Sequence, residues 1–172
     1  MICGVIIGKS NILFYILHPV IDFFRPLPSS AIIPIATLFF GLNETTYIFI
    51  IVFGGIWPIL LNTISGVRDV HPTAQESVQQ LSLNSIIKLM YFIFPEAAQE
   101  IYTGMKVSLS ICLILAVTAE MIVGLKSGLG KFLFEMEHAG NYKVMYFTVF
   151  IISLLGLSLN MFFRIIEKNI HV

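Results

Sequence analysis

Apolar runs of near-membrane length alternate with short polar stretches along this chain. Residues 26–43 (PLPSSAIIPIATLFFGLN) carry no charge. Thr45–Val67 is a second uncharged run, and Val107–Ala119 is a third, the centre of a span from about Ala98 to Val123 that carries Lys106 near its start and Glu120 near its end. Val144–Phe163 is a fourth. Each is near the roughly 20 residues that an α-helix needs to cross a bilayer. Met1–Gly8 (MICGVIIG) is apolar but too short to cross, and no basic stretch precedes it as in a signal peptide. It reads as the last third of a transmembrane helix. Lys9–Arg25 is mixed, with Lys9, His18, Asp22 and Arg25 among apolar residues. Two readings stand for it, a helix lying at the interface or a continuation of the first span into water.

The stretch Arg68–Pro95 breaks the apolar pattern. It holds Arg68, Asp69, His71, Glu76, Lys88 and several amides and hydroxyls, all costly in hydrocarbon. Its chemistry is nonetheless helical. Pro72 suits a first helical turn, where a missing N–H costs nothing. Val78 and Leu81 follow at i, i+3, and Leu83, Ile87 and Met90 continue the pattern. An amphipathic helical insert between two spans is suited to touch a partner at the membrane face.

Composition agrees with this reading. The 172 residues are 57% hydrophobic and 12% charged, where soluble domains carry about 25% charge. Net charge is zero, which leaves no nucleic-acid footprint. Cys3 and Cys112 both fall in apolar segments, as small packed residues do. The histidines at 18, 71, 138 and 171 are scattered without metal-ligand spacing. No nucleophile elbow and no phosphate-binding loop is present, so this sequence predicts neither catalysis nor ATP hydrolysis.

Polar and small residues inside the apolar runs are the candidate functional positions. Pro34 is expected to kink the 26–43 span or free backbone carbonyls beside a watery path. Asn62 lies near the far end of its span, either as a bond between helices or on a solute path. Glu120 must face protein, a cavity or the interface; it is read either as a path residue or as a carboxylate satisfied by backbone donors. Gly4 with Gly8, and Gly54 with Gly55, suit close helix packing. Gly124–Gly140 contains a short amphipathic piece, Phe132–Met136, and reads as a re-entrant or interfacial turn. With the insert inside, six basic residues (Lys9, Arg25, Arg68, Lys88, Arg164, Lys168) face the cytoplasm, and three (Lys126, Lys131, Lys143) face out.

The insert resembles the cytoplasmic coupling loop of bacterial ABC-importer permeases. Glu76-Ser77-Val78 stands in the place of that loop's Glu-Ala-Ala, Ser82 in the place of its Gly, and Ile93-Phe94-Pro95 near its Ile-x-Leu-Pro ending. Glu96-Ala97-Ala98 matches the letters but follows the closing proline. Ser82 departs from the family Gly, a cost if the position needs φ > 0. Further pieces occur in family order: Arg25-Pro26-Leu27-Pro28 with Ile33-Pro34, Phe40-Gly41-Leu42, Trp57-Pro58-Ile59-Leu60-Leu61-Asn62-Thr63, Thr103-Gly104-Met105-Lys106, Ala119-Glu120-Met121 and Ser127-Gly128-Leu129-Gly130. Together they resemble the integral-membrane subunit of the nitrate/sulfonate/taurine branch.

The resemblance implies an all-α polytopic membrane protein with about four full transmembrane helices, a partial first one and a cytoplasmic coupling loop at 68–95. It implies that the chain begins within the second of six family spans. It implies one permease domain over residues 1–172 of an ATP-driven importer in the bacterial cytoplasmic (inner) membrane. The cargo would be a small solute such as an aliphatic sulfonate, taurine, nitrate or a vitamin precursor. Glu76, Ser77, Val78, Leu81, Ser82 and Pro95 would couple to an ATPase subunit, and Glu120, Asn62 and Pro34 would be translocation-path candidates. Partners would be that ATPase with its ATP and Mg, an extracytoplasmic substrate-binding protein, a second permease copy and membrane lipid. The competing expectation is a truncated remnant or structural protein that inserts but transports nothing.

Overall fold

The computed structural model describes residues 1–69, 94–124 and 127–170. The described chain consists of helices α1 (Ile2–Lys9), α2 (Asn11–Phe24), a 3-10 turn (Ser29–Ile32), α3 (Ile33–Phe40), α4 (Glu44–Arg68), α5 (Phe94–Val123), α6 (Leu129–His138) and α7 (Tyr142–Ile170). Among the described residues three stretches, Glu44–Arg68, Ala97–Val123 and Tyr142–Glu167, are long and apolar enough to cross a membrane; α1 and α2 count as a fourth only if the bent pair is one span. The all-α polytopic class read from the sequence is the class observed.

The run 26–43 differs from its expectation. It forms no single span but a 3-10 turn followed by the eight-residue α3. Pro34 does not kink a long helix; it sits in the first turn of α3, where its lost N–H has no partner to forfeit. Gly41, at φ +80°, ends α3 in a region that a side chain disfavours. Asn43 then serves both neighbours. Its Nδ2 donates to the Phe40 carbonyl at 2.6 Å, and its Oδ1 accepts from the Thr46 amide at 3.1 Å as the N-cap of α4.

The chain divides into two compact units, residues 1–26 with 57–107 and residues 27–56 with 108–172. In the first, α1 lies along the C-terminal half of α4. A Cβ built on Gly4 would lie 2.7 Å from Thr63 Cβ, and one on Gly8 would lie 2.9 Å from Val67 Cβ. Both helices advance four residues between these contacts, so they run in the same direction. The small-residue face read at Gly4 and Gly8 is this contact. At Ser10 the chain bends by 120° into α2, whose first turn Ser10 caps through the Leu13 amide at 3.3 Å. The helix then retraces α4: Asn11 meets Arg68 at 3.2 Å, Ile21 is buried with Ile64, and Phe24 stacks on Trp57 with centroids 6.1 Å apart. The bend rules out a straight continuation of α1, one of the two readings of Lys9–Arg25.

The first half of α5 runs antiparallel to α4 in the same unit. Gly66 faces Ala97 and Glu100, and Gly104 faces Asn62 and the Pro58 carbonyl. Val67, Ala97 and Ile101 form the core between them. In the second unit, α3 packs on the opening half of α4 and the closing half of α5 around Ile33, Ala36, Ile50, Leu115 and Ala119. Gly54 and Gly55 allow the approach, as read, with Leu115 and Ser29 against the first and Cys112 and Ser108 against the second. Gly140 (φ +68°) turns α6 into α7, whose start Asn141 caps at the Val144 amide. The amphipathic piece read at Phe132–Met136 is thus the middle of the ten-residue α6.

Candidate functional site

Two polar places stand out among these apolar helices. The first is the mouth of the insert. Helix α4 ends at Arg68 and α5 starts at Phe94, and Gly66 against Ala97 holds these two ends together. The two helix ends that flank residues 70–93 in sequence therefore lie side by side in one antiparallel pair. Pro95 occupies the first turn of α5, the position where proline fits a helix best. Glu76, Ser77, Val78, Leu81 and Ser82 lie outside the described residues. Arg68 is fixed at the mouth: its Nη1 donates to Asn11 Oδ1 at 3.2 Å and its guanidinium lies 3.8 Å from the Phe14 ring centroid. His18 pairs through Nδ1 with Asp22 at 2.8 Å, one turn further along α2.

The second place is Glu120, near the end of α5. Its Oε2 accepts the Gly130 amide at 2.7 Å and its Oε1 accepts the Tyr47 hydroxyl at 3.4 Å. One carboxylate thereby joins α4, α5 and the N-terminus of α6, where free amides and the helix dipole favour negative charge. Gly128 precedes α6 at φ +151°, and a Cβ there would run into the Glu120 carboxyl group. Gly130 rides directly on the Val117 carbonyl. The family-like Ser127-Gly128-Leu129-Gly130 piece is thus a seat for Glu120, which is held by a backbone donor together with a tyrosine.

Asn62 and Pro34 join neither place. Asn62 Nδ2 donates to the Pro58 carbonyl of its own helix at 2.8 Å, and its Cβ packs toward Gly104. The Pro34 carbonyl accepts the Thr37 hydroxyl at 2.9 Å. Sequence reasoning missed Tyr47 and the donor Ser108, whose hydroxyl bonds the Gly55 carbonyl at 2.7 Å just before Pro58. For Ser108 the available signal was a row of small residues at four-residue spacing on α5, Gly104, Ser108 and Cys112.

Long apolar helices packed through small residues define a polytopic helical membrane protein. Residues 1–172 match the family described as binding-protein-dependent transport system inner membrane component, and the chain belongs to that family. It is 32% identical over 169 residues to an ABC transporter permease protein of Methanocaldococcus jannaschii, covering 98% of this chain and 63% of that protein. It is 29% identical over 157 residues to the nitrate import permease protein NrtB of Leptolyngbya laminosa (91% and 56% covered). With the taurine transport system permease protein TauC of Escherichia coli it shares 28% over 170 residues (97% and 60% covered). The chain spans about three fifths of the length of these relatives.

Proposed function

We propose that this chain is the membrane-embedded permease part of an ATP-driven importer of a small solute, of the nitrate, taurine or sulfonate kind. The observation that carries the reading is the closed mouth of the insert. In a family of transport-system membrane components, the ends of α4 and α5 lie side by side, Gly66 against Ala97, and this supports reading the stretch that joins them as a coupling loop. On this reading Glu76, Ser77, Val78, Leu81 and Ser82 dock into a groove on a separate ATPase subunit, which binds ATP and Mg. A helix laid in a groove is a common mode of recognition. An extracytoplasmic binding protein delivers solute, and a second permease copy completes the path. Glu120, Asn62 and Pro34 influence that path, Glu120 by holding α6.

The test is co-expression with the cognate ATPase subunit and binding protein, followed by reconstitution in vesicles. Val78→Asp places a charge on the docking face and should cut ATP-coupled uptake by at least tenfold while leaving the chain inserted. Loss of ATPase co-purification should accompany it. Unchanged uptake in this variant rejects the coupling role. Glu120→Gln should change the kinetics of uptake without loss of ATPase binding.

A further inference from the structure

Between α2 and the C-terminal end of α4, within the first unit, lies an open cavity of about 150 Å³. Ile21 and Ile64 line its apolar floor, and His18, Ser65, Arg68 and Asp69 bring polar groups to it. These groups carry both signs. Arg68 is a permanent cation, held against Phe14 with its planar fork of donors. Asp69 is the next residue and is exposed. His18 is already bonded to Asp22, so a second carboxylate stands one turn away. A purely anionic ligand would gain Arg68 but face these carboxylates. A ligand with an anionic and a cationic end, a few bonds apart, satisfies both.

The surroundings say where such a ligand comes from. Arg68 ends a helix long and apolar enough to cross a membrane, so the cavity opens at the depth where headgroups begin. From its edge the exposed face of α2 continues with Ile12, Tyr15 and Ile16, between 63% and 73% accessible. We propose that this cavity is a binding site for an aminophospholipid. Its phosphodiester meets Arg68 and the Ser65 hydroxyl, its primary ammonium meets Asp69, and its acyl chains lie along the outer face of α2. Pockets of this kind between membrane helices bind lipid headgroups through basic side chains. The carboxylate adds a preference that charge alone would not: a quaternary choline cannot donate a hydrogen bond to Asp69, and a glycerol headgroup brings no cation.

The experiment is native mass spectrometry of the full chain released from nanodiscs of phosphatidylcholine doped with phosphatidylethanolamine or phosphatidylglycerol. The wild type should retain one phosphatidylethanolamine in preference to either other lipid. Arg68→Gln should weaken retention roughly tenfold, the scale of one lost charge-assisted contact. Arg68→Lys should keep most of it, and circular dichroism reports whether each variant is folded. Asp69→Asn, at an exposed position that should not compromise folding, should erase the preference for phosphatidylethanolamine over phosphatidylglycerol. Equal retention of the three lipids by the wild type, or unchanged retention in both Arg68→Gln and Asp69→Asn, overturns the proposal. Displacement of the lipid by soluble phosphoethanolamine at the same concentration overturns the lipid as the source and leaves a site for the free headgroup.

Discussion

Glu120 shows what a single side chain does in this protein. A carboxylate in an apolar helix is costly unless donors converge on it, and here the Gly130 amide and the Tyr47 hydroxyl do so. Replacement by Ala removes an acceptor from the start of α6 and should destabilise that helix by about 1–2 kcal/mol. Hydrogen exchange checks this: the Gly130 amide should exchange at least tenfold faster in Glu120→Ala and change less in Glu120→Gln, which keeps an acceptor. Gly104 makes a different demand. A methyl group there would lie 2.7 Å from Asn62 Cβ and 2.8 Å from the Pro58 carbonyl, where backbone cannot yield cheaply. Gly104→Ala should cost about 1–3 kcal/mol, read as a lower unfolding temperature in detergent. Gly156→Ala, 3.1 Å from a Leu113 methyl that can rotate away, should cost much less. The sequence showed that Glu120 needed a donor and left open whether that donor was backbone. It did not show Tyr47, because 73 residues separate the pair and a tyrosine among aromatic membrane residues gives no signal.

At the level of elements, apolar length predicted the long helices and failed where the backbone breaks. α4, α5 and α7 were legible because each is built on a long apolar run with its charges mostly toward the ends, though α7 continues seven residues beyond the expected Phe163. The run 26–43 has the right composition but places two prolines and a glycine where they start and stop short helices. The course of α2 was not legible because its amphipathic pattern fits an interface or a continuation into water equally. What decides is Ile21 seated on Ile64 and Phe24 on Trp57, contacts far apart in sequence. Spin labels test the geometry. A label at Ile16 should be mobile and accessible to oxygen dissolved in lipid, and one at Ile21 should be immobilised. Equal mobility at the two positions would contradict the packing of α2 along α4. Ser10→Ala, which removes the cap at the bend, should cost about 1 kcal/mol.

For the whole molecule, the order of the motif pieces carried the family, and the family match covers every residue. That level was legible because the pieces follow one another at family spacing even where single positions depart, as Ser82 does. The residues proposed to dock on an ATPase lie outside the described residues, in the stretch that joins the ends of α4 and α5. Those ends have one more consequence. Because α4 and α5 meet at Gly55, Gly66 and Gly104, they hold contacts of their own besides the peptide that joins them. The polypeptide should therefore tolerate being supplied in two pieces. Residues 1–69 and 94–172, synthesised separately in one cell, should find each other in the bilayer and co-purify through a tag on either fragment. Such a split protein would retain the membrane body without the loop. Adding the 70–93 sequence back on one fragment alone would then separate what the loop does by its chemistry from what it does as a tether.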